Sequence, residues 1–196
     1  MKRLMKKILI IQANPDKKSY CHYLAEAYQK GATKSGAEVR FLELSDLEFN
    51  LNLSDTYKKE TFLEPDLKKA QELISWAEHL VFVYPTWWAT FPALLKGFFD
   101  RTFTSGFAFR YRSHTWRWDK LLTGKSARLI VTMDAPPLFY CLFTKKPGHN
   151  AVKKGVLQFC GVNPVRITSL GPVKGSSETR RKQWLEKIEN YGFKQV

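Results

Sequence analysis

An α/β protein is predicted, with five parallel strands covered by helices on both faces and the order 2-1-3-4-5. Three observations carry this. Short β-branched runs such as Ile8-Leu9-Ile10-Ile11 and Leu80-Val81-Phe82-Val83-Tyr84 are almost wholly apolar, as strands buried on both faces must be. Segments of helical period separate them. Turn formers follow the strands: Asn14-Pro15-Asp16, then Pro85, then Pro136-Pro137. At 196 residues the length suits one domain spanning 1–196, with a core large enough to fold without disulfides.

The elements follow in order. Lys7-Ile8-Leu9-Ile10-Ile11 is a buried strand feeding a turn. From Ser19, the positions Tyr20, Tyr23, Leu24, Ala27 and Tyr28 recur at helical spacing, and Gly31 and Gly36 close that helix. Val39-Arg40-Phe41-Leu42-Glu43-Leu44 alternates as a second strand. An irregular acidic segment leads to a helix over residues 66–76, and the third strand is the apolar run at Leu80. Thr90 stands where an N-cap belongs, with Pro92 in the first turn and Phe91, Leu94, Leu95 and Phe98 as the buried stripe. Residues 104–125, rich in aromatics and arginine, read as an insertion or hairpin. A fourth strand over 128–132, a helix over 150–159, a fifth strand over 165–169 and a last helix over 177–191 complete the chain.

Lys and Arg number 32 against 18 Asp and Glu, a net charge of +14, while residues 43–66 hold seven acids against two lysines. Such a field attracts anions of any kind. With no zinc-finger, helix-turn-helix or RNP-like pattern beside it, nucleic acid is disfavoured, and contact with an anionic membrane face stays open. The apolar run after MKRLMKK is too short for an export signal, and the stretch 80–95 is too short and too proline-interrupted to span a bilayer. Cys21, Cys141 and Cys160 are odd in number and widely spaced, so they build neither a disulfide framework nor a CxxC site. A reducing, cytoplasmic setting is expected. The histidines show no metal-ligand spacing, so no metal is expected.

Ligands of open α/β sheets bind beyond the carboxyl ends of the strands, so the loops after strands one, three and four should converge. The first, Asn14 to Tyr20, brings a hydroxyl and amides to a helix start, where a phosphate is favoured; otherwise Ser19 simply caps its helix. GxGxxG and Walker patterns are absent, which disfavours a dinucleotide Rossmann site and an NTPase. In the second loop, the adjacent Trp87 and Trp88 cannot both enter one core, so one faces a planar ligand or a partner chain, or the pair forms a structural cluster. The third, Thr132-Met133-Asp134-Ala135-Pro136-Pro137, is a rigid turn.

Asn14-Pro15 with Ser19-Tyr20, Tyr84-Pro85-Thr86-Trp87-Trp88 leading into Phe91-Pro92-Ala93-Leu94-Leu95-Lys96-Gly97-Phe98-Phe99-Asp100-Arg101, and Phe159-Cys160-Gly161 together resemble the flavin-dependent NAD(P)H:quinone oxidoreductase family, whose fold is flavodoxin-like. The similarity runs from about residue 6 to about residue 190. The resemblance implies a homodimer with one flavin per subunit, FMN or alternatively FAD, reduced by NADH or NADPH and reoxidised by a quinone or related acceptor. It implies Asn14, Lys18, Ser19 and Tyr20 around the flavin phosphate, Pro85, Thr86, Trp87, Trp88 and Ala89 along the ring, and Thr132, Met133, Asp134 and Ala135 at its pyrimidine edge. Tyr140 and His149 match the catalytic tyrosine and histidine beside the hydride-transfer position. One departure is Thr132-Met133-Asp134-Ala135 where many relatives carry Thr-Thr-Gly-Gly. The loop after strand one makes a phosphate site but no clear adenosine site, and for FAD Arg180 or Arg181 could reach the second phosphate. A different function on the same fold is a flavin-binding regulatory subunit of a membrane transporter.

Overall fold

The computed structural model describes residues 5–53 and 63–196, so residues 54–62 of the acidic segment lie outside the described part. β1 (Lys7–Gln12) leads through α1 (Tyr20–Lys34) to β2 (Glu38–Glu43) and a short 3-10 turn, Leu44–Asp46. α2 (Pro65–Trp76), β3 (His79–Pro85) and α3 (Ala93–Thr102) follow. The segment 104–125 contains an antiparallel pair, β4 (Phe109–Tyr111) with β5 (Trp118–Lys120). The chain continues through β6 (Ser126–Thr132), α4 (Pro137–Leu142) and α5 (Pro147–Asn150), which opens into a π-helical stretch, Ala151–Gln158. β7 (Val165–Leu170) and α6 (Glu178–Phe193) close it.

β1, β2, β3, β6 and β7 form one parallel sheet of order β2-β1-β3-β6-β7. The predicted 2-1-3-4-5 is consistent with this, because the two hairpin strands pair apart from the sheet and take up two numbers. Ile10 pairs with Phe41 on one side and Val81 on the other, which makes β1 central and fixes the reversal of strand order beside it.

The period-2 alternation of the strands sorts the core into two layers. Leu9, Ile11, Leu80, Phe82 and Leu129 meet Leu67, Ile74, Leu95 and Phe98 of α2 and α3. Ile8, Ile10, Val81, Val83 and Ile130 meet Leu24 and Tyr28 of α1 and Ile188 of α6. Arg101, which ends the long sequence motif, is buried and donates to Glu64 at 2.8 Å and to the Asn50 carbonyl at 2.6 Å. It thereby ties both ends of the acidic segment to α3.

Two expectations need correction. Gly31 does not close α1; it lies inside the helix because α6 crosses there, and a Cβ on Gly31 would stand 1.9 Å from the Glu189 carbonyl oxygen. The reciprocal contact is Gly192, whose Cβ would meet the Tyr28 carbonyl oxygen at 2.1 Å. Thr90 does not cap α3, since the helix begins at Ala93 and the Thr90 amide donates to the Trp87 carbonyl at 2.8 Å. Pro92 has no amide that would need such a cap.

Gly31→Ala forces α1 and α6 apart, because both backbones are rigid at the contact. Urea unfolding is expected to show a loss of about 1–3 kcal/mol. A change under about 0.5 kcal/mol, the range of an ordinary surface substitution, would mean that the crossing is looser than described.

Candidate active site

The carboxyl ends of β1, β3 and β6 converge on a cavity of about 200 Å³. Asn14, Tyr20 and Cys21 line it from the first loop and helix, Pro85, Thr86 and Trp87 from the second loop, Thr132, Met133 and Asp134 from the third, and Val173 from the loop after β7. Eight of these ten positions lie on the three predicted segments; Cys21, just inside α1, and Val173 are the exceptions.

The first loop is folded by its own side chains. The Asn14 amide donates to Gln12 Oε1 at 2.6 Å, Asn14 Oδ1 accepts from the Asp16 amide at 3.0 Å, and Asp16 Oδ1 accepts from the Lys18 amide at 2.8 Å. Ser19 then occupies the N-cap of α1 with extended dihedrals, φ −71° and ψ 159°. Its hydroxyl nevertheless does no capping, and Ser19 Oγ is buried without a partner among the described residues. Ser177, at the start of α6, shows the ordinary arrangement, with its Oγ accepting from the Arg180 amide at 3.2 Å. A buried hydroxyl that leaves such a bond unmade is costly unless something else takes it. Lys18 is exposed beside it, and the Tyr20 hydroxyl donates to the Arg181 carbonyl at 2.7 Å, with burial pushing its pKa up to about 12.

In the second loop the Thr86 amide donates to the Thr132 carbonyl at 2.7 Å, continuing the β3–β6 ladder by one bond. Thr86 Oγ1, like Ser19 Oγ, is buried without a partner among the described residues. Next comes a tight turn from Trp87 to Thr90 with Trp88 at φ 50° and Ala89 at φ 59°. Two successive non-glycine residues in the left-handed region store strain. What they produce is display: Trp87 is 46% exposed and Trp88 is 98% exposed.

Tyr140 and His149 hold that turn from behind. The Tyr140 hydroxyl donates to the Ala89 carbonyl at 2.8 Å and accepts from the Gly148 amide at 3.1 Å. Gly148 has room for nothing larger, since a Cβ there would meet Thr90 Cα at 2.8 Å. The His149 ring packs edge-on to Tyr140 at 4.9 Å, and its Nε2 shares a 2.7 Å hydrogen bond with Ser169 Oγ. Burial, with the nearby Lys146 charge, lowers the His149 pKa to about 4, so its imidazole is neutral at neutral pH. Burial likewise raises the Tyr140 pKa above its ordinary value, so the phenol stays protonated.

In the third segment Cys21 Sγ lies 3.2 Å from Thr132 Oγ1, and burial pushes the thiol up to about 11, which keeps it unreactive. Asp134 Oδ1 accepts from the Lys174 amide at 2.8 Å, and the Met133 carbonyl accepts from the Val173 amide at 3.0 Å. These bonds dock the loop after β7 on the cleft, and Gly171 permits it, because a Cβ there would meet the Met133 and Ala135 carbonyl oxygens at 2.6 and 2.8 Å. Ala135 itself is exposed and lies outside the cavity lining. Sequence reasoning overlooked this fourth loop, although Gly171-Pro172-Val173-Lys174-Gly175 directly follows a strand. Arg181, a candidate for a second phosphate, donates instead to Ser176 Oγ at 2.9 Å and the Val173 carbonyl at 3.2 Å.

The family model for the flavodoxin-like fold matches residues 6–192, and the chain belongs to that family. Among curated relatives, it is 27% identical over 183 residues to an uncharacterized NAD(P)H oxidoreductase of Haemophilus influenzae, covering 91% of this chain and 90% of the relative. It is also 27% identical to NAD(P)H dehydrogenase [quinone] 1 of Cavia porcellus, over 95% of this chain and 77% of that one. Among solved structures, a Streptococcus mutans protein superposes with a TM-score of 0.84 at 30% identity, covering 96% of this chain and 99% of the other. An NAD(P)H:quinone oxidoreductase from Methanothermobacter marburgensis, at 24% identity over 97% of each chain, has the same fold with a TM-score of 0.82.

The depressed His149 pKa fixes a pH dependence. In the unfolded chain the imidazole titrates near 6.5, in the folded chain near 4, so between these values the unfolded state binds the extra proton. Stability is therefore full above about pH 6.5 and falls as the pH drops toward 4. His79, lowered to about 3 chiefly by burial, adds to the same slope. His149→Gln is expected to make the decline in unfolding midpoint from about pH 7 to about pH 4.5 shallower; an unchanged slope would mean that His149 accepts a proton freely.

Proposed function

We propose that this protein is a flavin-dependent oxidoreductase, one domain over residues 1–196, that moves hydride from NADH or NADPH through FMN to a quinone or related acceptor. The observation that carries this reading is that two buried hydroxyls on two converging strand-end loops, Ser19 Oγ and Thr86 Oγ1, find no partner among the described residues. Ser19 stands at the positive end of a 15-residue helix, where a phosphate dianion is favoured. Names of the relatives agree: uncharacterized NAD(P)H oxidoreductase, NAD(P)H dehydrogenase [quinone] 1 and ribosyldihydronicotinamide dehydrogenase [quinone]. A Bacillus anthracis neighbour of the same fold is an FMN-dependent NADH-azoreductase in complex with FMN.

FMN supplies a ring that takes hydride from a nicotinamide and yields it to an acceptor. The chain supplies everything around it. Ser19, Asn14 and the amides of the α1 start bind the phosphate, with Lys18 and Tyr20 beside them. Pro85, Thr86, Trp87 and Ala89 form the surface along the ring, and Trp88 walls the slot into which nicotinamide and acceptor enter in turn. Thr132, Met133, Asp134 and Ala135 border its pyrimidine edge. Tyr140 holds the Trp88 turn in place through Ala89, and a neutral His149 backs it. In this reading two copies pair, and the exposed Trp116 and Tyr111 of the hairpin offer the aromatic surface for it.

FAD in place of FMN has one observation in its favour: a second cavity of about 620 Å³ that shares Tyr20 and is lined also by Tyr23, Glu178, Thr179, Arg181 and Lys182. Arg181, however, is engaged by Ser176 and Val173. The transporter-subunit alternative draws nothing from the relatives, all of whose quoted names denote enzymes.

The purified protein is expected to be yellow, to bleach anaerobically with NADH or NADPH, and to regain its colour on adding a quinone. Because one slot serves both substrates in turn, double-reciprocal plots should be parallel; intersecting lines would point to separate sites. Ser19→Ala should weaken FMN binding by about 1 kcal/mol. Ser19→Asp should weaken it further, by setting a carboxylate against the phosphate, and equal FMN affinity in Ser19→Asp and wild type would remove the phosphate assignment.

A further inference from the structure

We infer that the face made by α4 and the turn after it docks on an anionic membrane surface. Leu138, Phe139, Leu142 and Phe143 fall within six consecutive residues, and all four are between 49% and 72% exposed. Phe139 and Phe143, one helical turn apart, stack on each other at 4.4 Å rather than on the core. A contiguous apolar face of this kind marks an interaction surface.

What covers it is argued from charge. Lys145 and Lys146 follow directly, both exposed and both in the left-handed region, at φ 57° and 54°. The turn they make folds back, so that the Lys146 amide reaches the Tyr140 carbonyl at 3.4 Å and the Thr144 hydroxyl donates to the same oxygen at 2.7 Å. The backbone of the two lysines is thus folded back onto the helix that carries the four apolar side chains. No Asp or Glu occurs between Asp134 and Glu178, while Lys153 and Lys154 add to the positive charge. Apolar side chains flanked by lysine are the combination that inserts into a headgroup layer and is drawn to anionic lipid. A two-fold contact would instead set this patch against itself, lysine against lysine, with no carboxylate in the segment to relieve it.

The test is co-sedimentation of the purified holoprotein with vesicles of phosphatidylglycerol and phosphatidylcholine, against phosphatidylcholine alone. Binding is expected to the anionic vesicles only. Leu142→Ser/Phe143→Ser and, separately, Lys145→Gln/Lys146→Gln should each lower the partition coefficient by about tenfold or more. Neither pair belongs to the proposed redox site, and the readout needs no turnover, so the inference and the redox reading fail independently. Absence of binding, or equal binding by both variants and wild type, would overturn it. So would loss in the lysine variant alone, which is adsorption by charge without insertion. If Leu142→Ser/Phe143→Ser instead converts a dimer to monomers in sedimentation velocity without changing vesicle binding, a second copy covers the face and the membrane assignment falls.

Discussion

Everything at the site follows from the common direction of the five sheet strands. β1 pairs in parallel with β2 and with β3, so chain connections must leave the sheet at one end and return at the other. The loops after β1, β3, β6 and β7 therefore gather at a single edge, and the reversal of order beside β1 opens a crevice between them. The two-layer core exists to hold that edge still. On one face, α1 and α6 approach so closely that Gly31 and Gly192 leave no room for a methyl group.

Against that rigid frame, four unfavourable features fall on two of these loops. Ser19 Oγ and Thr86 Oγ1 are buried without partners among the described residues, and Trp88 and Ala89 hold left-handed dihedrals without being glycine. Each costs stability, and each lies on the loops after β1 and β3. The Tyr140 hydroxyl bridges Ala89 and Gly148, so the strain in the turn is held by hydrogen bonds made elsewhere.

Much of the fold was legible because parallel strands buried on both faces have to be apolar throughout, and Ile8 to Ile11 and Leu80 to Tyr84 meet that requirement without ambiguity. The strand-end loops could be located for the same reason. What stayed hidden depended on packing between distant segments. Gly31 reads as a helix stop in sequence, and only the crossing of α6 reveals it as a contact point. Thr90 reads as a cap, but the positive φ of Trp88 and Ala89, which no glycine or asparagine announces, turns it into the closing residue of a tight turn. Asp134, placed at the pyrimidine edge by resemblance, also anchors the loop after β7 through the Lys174 amide, a bond across 40 residues of sequence.

The central claim is that this cleft holds a flavin by its phosphate. The most direct measurement is to release the chromophore from the purified protein by denaturation and identify it by mass, with the amount per chain from absorbance. The account predicts FMN at about one per chain, since a single phosphate meets the α1 start. Recovery of no flavin, together with failure of the protein to take up added FMN or FAD, would contradict it.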